Sequence, residues 1–257
     1  MTTAGYKVMI MGSGTSNGVP VLGCDCSVCR STDRRNRRSR ASILVRRQDS
    51  ILVVDTGPEF RLQLLEAEVD HLDAIVYTHA HADHLHGLDD IRPLTHRRPM
   101  DLYAKGDTLR EIRHRFGYIF TQRRAGGSIP KVRLHQLDSE KVSCGAVEFL
   151  PVPVFHGTQE ILSYRFGDFA YVTDCSRIPE ESYPLLRGLD TLIIGALRYK
   201  PHPTHFSVQQ ALDEIAKIAP KRAYLTHMCH HLEYGELRKV LPPGVEPAYD
   251  GLELEIP

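Results

Sequence analysis

Residues 79–84 carry the side chains best suited to chemistry in this chain. Within them, His79, His81, Asp83 and His84 place three imidazoles and one carboxylate close together. Neutral imidazole and carboxylate are common ligands of zinc, manganese and iron, and a loop can turn alternate side chains toward different ions. The spacing therefore predicts a loop that serves two metal ions. The alternative, a solvated histidine-rich loop, leaves this density of ligands without a physical reason.

A second group of candidate ligands lies near the start of the chain. Cys24, Cys26 and Cys29 offer three thiols at a spacing that can wrap one face of a tetrahedral zinc ion. The fourth ligand must come from elsewhere, and the best candidate is His230, with its two chain neighbours as rivals. Buried thiols or a redox pair are the alternatives, but crowded thiols in a reducing compartment favour a metal.

Further candidate ligands stand where apolar runs typical of strands end. His156, Asp174 and His227 each follow such a run, and so does the loop of residues 79–84. Loops at the carboxyl ends of strands converge on one crevice of an α/β sheet, so these side chains are predicted to meet. Asp55 also ends a predicted strand, where its carboxylate would either accept the spare N–H of a metal-bound histidine or cap the next helix.

The elements that must position these residues follow from hydrophobic periodicity. Strands are predicted at residues 7–11, 41–46, 51–54, 74–77, 101–104, 147–155, 170–173, 191–194, 223–226, 245–248 and 252–256. Helices are predicted at residues 59–67, 86–94, 107–116, 180–186, 207–218 and 234–241, and residues 117–130 have the composition of a loop. The glycines of residues 12–18 miss the dinucleotide fingerprint, which excludes a Rossmann site there.

The pattern His-x-His-x-Asp-His in residues 79–84 resembles the signature of the metallo-β-lactamase superfamily. This resemblance implies an α/β fold of the αββα four-layer sandwich type with a two-metal site in its cleft. It gives Asp55 the part of orienting a metal-bound histidine. It also implies that one ion takes His79, His81 and His156, that the other takes Asp83, His84 and His227, and that Asp174 bridges the two.

A narrower resemblance covers nearly the whole chain. The Gly-x-Gly-Thr-Ser opening of residues 12–16, the cysteine spacing, the arginines of residues 30–40, the seven ligands and Thr-His-Met-Cys-His at 226–230 are similar to the phosphodiesterases of the carbon–phosphorus lyase pathway, the PhnP family. The resemblance implies a structural zinc held by Cys24, Cys26, Cys29 and His230. It also implies manganese-dependent cleavage of a ribosyl 1,2-cyclic phosphate, with a histidine at the place of His205. Residues 117–130 carry no motif of the family.

The predicted site has the chemistry of a hydrolase. Two divalent ions, manganese or zinc, lower the pKa of a bridging water, so hydroxide is present at neutral pH. His205 precedes a predicted helix and can lean over the site to protonate a departing alkoxide, with Asp83 and Asp174 as the catalytic carboxylates. His202 is the weaker rival for this role, and a plain loop histidine before the cap residue Ser207 is the alternative.

We therefore predict a metal-dependent phosphodiesterase acting on a cyclic or small nucleotide-like phosphodiester. The alternatives are an RNA-processing nuclease of the same superfamily, guided by the arginines of residues 30–40, and a non-hydrolytic metal-binding protein. A small phosphorylated substrate is the expected partner. RNA is less favoured, because the formal net charge is zero and no aromatic residues are interleaved with the arginines. A homodimer is an open alternative.

Size and composition set the frame for these predictions. The 257 residues, 42% of them hydrophobic, are predicted to form a single domain spanning residues 1–257, because no linker-like segment divides them. No apolar run reaches the roughly 18 residues of a membrane span, and residues 1–7 lack the basic start and apolar core of a signal peptide. A cytoplasmic location without membrane contact is the expectation.

Overall fold

Two seven-stranded β-sheets face each other in the computed structural model, which describes residues 5–121 and 128–257. The first sheet has the strand order β14-β1-β2-β3-β4-β5-β6 and the second β13-β12-β11-β10-β9-β8-β7. The first-sheet strands are β1 (Tyr6–Gly12), β2 (Ser42–Arg47), β3 (Ser50–Val54), β4 (Ala74–Val76), β5 (Met100–Ala104), β6 (Val132–Gln136) and β14 (Leu252–Ile256). The second-sheet strands are β7 (Val142–Cys144), β8 (Val147–His156), β9 (Gln159–Phe166), β10 (Phe169–Val172), β11 (Thr191–Gly195), β12 (Arg222–Thr226) and β13 (Val245–Pro247).

The two sheets repeat one pairing pattern. In the first, β14, β1, β2 and β3 pair antiparallel, and β3 to β6 pair parallel. In the second, β7 to β10 pair antiparallel, and β10 to β13 pair parallel. Each half therefore has a block of parallel strands whose carboxyl ends open at one edge. Those edges are where the predicted ligands stand.

Helices cover the outer face of each sheet. The α-helices are α1 (Phe60–Glu66), α2 (Ala82–Leu85), α3 (Gly106–Arg115), α4 (Gly117–Phe120), α5 (Val208–Ile218) and α6 (Tyr234–Val240). Three 3-10 helices lie at Arg34–Asn36, Leu88–Thr95 and Glu180–Leu186. In the described parts of the chain, no helix is long and apolar enough to cross a bilayer.

Three apolar clusters fill the layers between these elements. The central cluster lies between the sheets and includes Val8, Leu52, Tyr164 and Phe169, each at most 1% exposed. A second cluster packs α5 and α6 on one sheet, and a third packs α1 and α3 on the other. The predicted αββα four-layer sandwich is thereby confirmed.

Three predictions of secondary structure need correction. No α-helix spans residues 86–94. The helix α2 begins earlier, inside the histidine loop, and the 3-10 helix Leu88–Thr95, which contains Pro93, follows it. Proline lacks the N–H that a regular α-helix would use, so the tighter turns replace it. Residues 180–186 form a 3-10 helix with Pro184 inside it, for the same reason. Within the loop predicted at residues 117–130, α4 occupies its start, and residues 122–127 lie outside the described residues.

Candidate metal centre

The seven predicted ligands converge at the carboxyl ends of the strands. Residues 79–84 follow β4, His156 ends β8, Asp174 follows β10 and His227 follows β12. Their imidazole and carboxylate atoms form two groups, each with its members within 4.8 Å of one another. The groups are His79, His81 and His156, and Asp83, His84, Asp174 and His227. The structure thus brings together side chains that are up to 148 positions apart in the sequence.

Asp174 stands between the two groups. Its Oδ1 lies 3.2 Å from Nε2 of His84 and 3.2 Å from Nε2 of His227. Its Oδ2 faces the other way and lies 3.9 Å from Nε2 of His79. One carboxylate therefore reaches both groups, as a bridging ligand must.

The donor set fits divalent cations. Among the described residues, Nε2 of His84 and Nε2 of His227 are buried without a hydrogen-bond partner. Two ligands on one tetrahedral zinc ion, with bonds of about 2.1 Å, lie roughly 3.4 Å apart. The contacts of Nε2 of His84 with Asp174, at 3.2 Å, and with Asp83, at 3.3 Å, match that separation. A cation would satisfy imidazole nitrogens that the protein leaves unpaired.

Asp55 and Thr78 fix the orientation of two of these histidines. Asp55 is fully buried, and its carboxylate accepts hydrogen bonds from Thr78 N (2.8 Å), Thr78 Oγ1 (2.8 Å) and Nδ1 of His84 (2.7 Å). Because the Thr78 hydroxyl donates its hydrogen bond to Asp55, its oxygen accepts a hydrogen bond from the N–H of His79 Nδ1, at 2.9 Å. Both imidazoles then carry the proton on Nδ1 and present a bare Nε2 to the centre.

His156 is oriented in the same sense by carbonyl oxygens. Its Nδ1 lies 2.9 Å from the carbonyl oxygens of both Asp174 and Thr204. A carbonyl accepts and never donates, so Nδ1 of His156 carries the proton and Nε2 is free to bind a metal. Sequence reasoning missed Thr78 and Thr204, because neither threonine belongs to a pattern with a distinguishing spacing.

The pKa shifts in the group around His84 also favour a bound cation. Burial opposes the charged form of His84, but Asp174, Asp55 and Asp83 outweigh it and raise the pKa of His84 well above its usual value. Burial likewise opposes ionisation of Asp174, yet His227 and His84 hold its pKa well below the usual range. Three carboxylates thus draw a proton onto a buried imidazole. A divalent ion in this position would replace that proton, since ligands bind metals in their deprotonated forms.

Several of these residues have an unusual backbone conformation. Asp55, Asp174 and His227 have φ of 66°, 52° and 56°, a left-handed region that non-glycine residues seldom adopt. Asp55 and His227 directly follow β3 and β12, and Asp174 lies two residues after the end of β10. A non-glycine residue in this conformation costs roughly 1–3 kcal/mol, and such residues cluster at functional sites.

His205 lies outside the two groups named above, but its ring forms a third group with His156 and Asp174, whose ligand atoms also lie within 4.8 Å of one another. Its Nδ1 is 3.9 Å from Oδ2 of Asp174, and its ring stacks on that of His227 with centroids 4.8 Å apart. Burial, together with the nearby His227, lowers the pKa of His205 to about 3. The ring is therefore neutral at pH 7 in the protein alone.

The cysteine group is assembled with His230. Nδ1 of His230 lies 3.2, 3.6 and 3.5 Å from the sulfurs of Cys24, Cys26 and Cys29. A thiolate and an imidazole on one tetrahedral zinc ion lie about 3.6 Å apart, so the donor set fits zinc. Burial raises the pKa of Cys29 to about 11, a shift that a bound metal reverses because a coordinating thiol loses its proton.

The two rival ligands, Cys229 and His231, contribute no ligand atom to the cysteine group. The sulfur of Cys229 is not in the group and accepts the backbone N–H of His231 at 3.4 Å. The ring of His231 stacks on that of His230 with centroids 4.4 Å apart, and it contributes no atom to the group.

Most arginines of residues 30–40 bind other groups of the protein. Arg38 is 2% exposed and donates to the carbonyl oxygens of Cys229 (3.0 Å) and Leu232 (2.6 Å), so it anchors the loop that contains His230. Arg40 pairs with Glu59, and Arg35 pairs with Asp33 and lies over the ring of Tyr234. In the described chain, Arg34 and Arg37 are exposed and have no ion pair.

Comparison with known proteins gives these groups a family. A family model described as Beta-lactamase superfamily domain matches residues 51–228, a span that contains all seven candidate ligands and excludes the cysteine group. The chain is 44% identical to the crystal structure of a diphosphatase from the PhnP family, with a TM-score of 0.92 over 98% of this chain and 97% of that one. Zn²⁺-bound PqqB from Methylobacterium extorquens shares the fold, with a TM-score of 0.78, 20% identity and coverage of 97% of this chain and 100% of that one.

A curated relative matches over part of its length. An octanoyltransferase of Porphyromonas gingivalis (strain ATCC BAA-308 / W83) is 38% identical over 253 residues, which are 96% of this chain and 51% of that protein. The chain thus spans about half the length of this relative. The family model and the near-complete match to the diphosphatase agree with the architecture and show that the chain belongs to the PhnP family of the beta-lactamase superfamily.

Proposed function

We propose that this protein is a dinuclear metal-dependent phosphoric diester hydrolase. The observation that carries the proposal is the bridging placement of Asp174, whose two oxygens face His84 and His227 on one side and His79 on the other. Two divalent ions, when bound, supply a nucleophilic water at neutral pH and neutralise charge on phosphoryl oxygens. The family of the chain supports a hydrolase of phosphoric esters.

The residues of the chain would divide the work as follows. His79, His81 and His156 would hold one ion, Asp83, His84 and His227 the other, and Asp174 both. Asp55 would keep the imidazole tautomers that expose Nε2. The cysteine group with His230 would hold a structural zinc, away from the reacting atoms.

His205 would act on the leaving oxygen. A phosphodiester bound beside it carries negative charge, which favours the imidazolium form and opposes the depression of the pKa of His205. An imidazole with its proton can then protonate the departing alkoxide.

The proposed substrate is a cyclic or small nucleotide-like phosphodiester, and 5-phosphoribosyl 1,2-cyclic phosphate is the first candidate. A second candidate class is a diphosphate, because the relative at 44% identity is a diphosphatase. We propose manganese or zinc as the catalytic ions. We also propose that residues 1–257 act as one domain, since the central apolar cluster draws residues from both sheets.

The test compares esters and a matched pair of proteins. Manganese-loaded wild-type protein is assayed with bis(p-nitrophenyl) phosphate, a nucleoside 2′,3′-cyclic phosphate and ADP-ribose as the diphosphate probe. We expect hydrolysis of the phosphodiesters and a loss of more than about 10³-fold in Asp174→Ala, because one substitution removes a ligand from both ions. An active Asp174→Ala protein would refute the dinuclear proposal. Faster turnover of ADP-ribose than of the cyclic phosphate would select the diphosphatase instead.

A further inference from the structure

The loop of residues 196–207, between β11 and α5, holds a second histidine beside His205. Its neck is closed by a hydrogen bond from Leu197 N to Phe206 O at 2.9 Å. His202 stands inside this loop between two prolines, whose fixed φ restricts the backbone on either side of it. The ring of His202 is half-buried, and its centroid is 5.2 Å from that of His205.

Thr204 joins His202 to the metal centre. Its carbonyl oxygen lies 2.9 Å from Nδ1 of His156, one of the candidate ligands. Its backbone N–H and its hydroxyl lie 3.3 and 3.2 Å from Nδ1 of His202. The methyl group of Thr204 packs against Gly157, where an added Cβ would lie 2.9 Å away. These contacts therefore fix Thr204, and through Thr204 they fix the position of His202 relative to His156.

These contacts fix the tautomer of His202. A backbone N–H can only donate, so Nδ1 of His202 must be the acceptor and carries no proton. The neutral ring then has its proton on Nε2, on the side of the ring that faces away from Thr204. In the described chain, no protein group is hydrogen-bonded to this Nε2–H. His202 is thus a donor in a fixed position with no acceptor of its own.

The neighbourhood of His202 indicates what the acceptor is. Under the proposed function, the candidate metal ligands would surround the phosphoryl group, and His205 would stand on the side of the leaving group. His202 lies next to His205 and is not a member of either metal group. A substrate oxygen near His202 would therefore belong to the leaving group, beyond the scissile bond.

We infer that His202 binds the leaving group of the substrate, donating its Nε2–H to a hydroxyl or ring oxygen, and so favours sugar-like leaving groups over aryl ones. This inference rests on the proposed phosphodiesterase function. It assigns His202 a role distinct from that of His205, because a ring held as a neutral donor contributes affinity and selectivity rather than a proton.

Two isosteric variants separate substrate binding from a structural role. In His202→Asn, the amide oxygen can take the place of Nδ1 and keep the bonds from Thr204, but no donor reaches the place of Nε2. In His202→Gln, the amide nitrogen can reach the place of Nε2, but the acceptor for Thr204 is lost. The exposed His96 provides the control variant His96→Asn. The proteins are compared in manganese-loaded form with a nucleoside 2′,3′-cyclic phosphate and with bis(p-nitrophenyl) phosphate.

We expect His202→Asn to raise KM for the cyclic phosphate by about 3- to 10-fold, the worth of one hydrogen bond, while kcat changes less. KM for the aryl ester should stay within twofold of wild type by the same reasoning, and His202→Gln should recover most of the loss. A structural role gives the reverse order, with Asn harmless and Gln impaired on both esters. That order, or an unchanged KM in His202→Asn, would overturn the inference.

A binding measurement keeps this test independent of turnover. Calorimetry with a nucleoside 2′-monophosphate and with p-nitrophenyl phosphate should show the same ranking of variants. If wild-type protein binds the nucleotide but hydrolyses neither ester, the proposed function fails and the ranking still decides the role of His202. Absence of nucleotide binding in wild type would overturn the role of His202 as well.

Discussion

Replacement of Asp55 by asparagine should disturb both metal groups through one buried atom. In the native site, Oδ1 of Asp55 accepts a hydrogen bond from Thr78 N–H, while Oδ2 accepts hydrogen bonds from the Thr78 hydroxyl and from His84 Nδ1. If the new amide keeps its oxygen on Thr78 N, its NH2 donates to His84 Nδ1 and to the Thr78 hydroxyl. His84 must then carry its proton on Nε2. The freed Thr78 hydroxyl proton turns to His79 Nδ1 and shifts that ring to the same tautomer.

The size of the effect follows from the number of ligands that are blocked. Loss of a group that orients a metal-bound histidine costs about 10- to 100-fold in affinity, or roughly 1.4–2.7 kcal/mol, and here one ligand in each group is affected. If the amide flips instead, its NH2 opposes the buried Thr78 N–H, and the unfolding free energy falls by about 1–3 kcal/mol. Calorimetric titration of chelator-treated protein with Mn²⁺, together with chemical denaturation, measures both quantities.

Asp250→Asn is the matched control for this experiment. Asp250 also accepts three hydrogen bonds, from Ser13 N (2.8 Å), Ser13 Oγ (2.7 Å) and Ser39 N (2.6 Å), but no imidazole touches it. Its replacement should lower stability and leave Mn²⁺ affinity unchanged. The reasoning is wrong if Asp55→Asn binds both ions as tightly as wild type and unfolds at the same denaturant concentration, or if the control loses metal to the same extent.

Three further predictions concern the cysteine group and the arginines. Cys26→Ser should release one zinc ion per chain and lower the melting temperature while sparing the other ions, whereas Cys229→Ser should keep all of them; elemental analysis after gel filtration distinguishes these outcomes. Arg38→Met should lower the unfolding free energy by about 2–4 kcal/mol, because two buried carbonyl oxygens lose their donor. The control Arg37→Met should change the unfolding free energy by less than about 0.5 kcal/mol. Equal effects of the two substitutions in denaturant titrations would contradict this prediction. Since two arginines of residues 30–40 lack ion pairs, single-stranded RNA binding should show a log–log salt slope of about −1.4, and a slope steeper than about −3 would restore the nuclease hypothesis.

Strand ends were predictable from the sequence because two patterns agree there. An apolar run followed at once by an imidazole or carboxylate locates both the strand and its ligand, as at His156 and His227. The whole predicted ligand set could be named in this way and meets in space. The helix predicted at residues 86–94 is wrong because Pro93 has no N–H for an α-helical hydrogen bond and because α2 begins earlier, with His81 as its N-cap. Strands β6, β7 and β9 were not predicted. For β7 the reason is its length, since three residues are too few for a period to appear.

The parts of the site that escaped prediction are set by contacts between distant residues. The bonds of Thr78 with Asp55, and of Thr204 with His156, join positions whose spacing carries no signal. The left-handed backbone at Asp174 could not be inferred either, because sequence patterns favour glycine for that conformation. Tautomers follow from these contacts, so they become visible only in three dimensions.

The cysteine group and the metal centre meet the same stretch of chain but are held independently. His227 and His230 are three residues apart. Loss of zinc from the cysteines would displace His227 as well if nothing else held the chain between them. Between them, Met228 N donates to Ser13 O at 2.9 Å, and Thr15 N donates to Met228 O at 3.3 Å. These two bonds clamp the chain just after His227 to the opening loop of the first sheet, and neither uses a cysteine or His230. The strand β12 on one side and these two hydrogen bonds on the other therefore hold the backbone of His227 in its left-handed conformation. For this reason the metal centre should keep its ions when zinc is removed from the cysteine group.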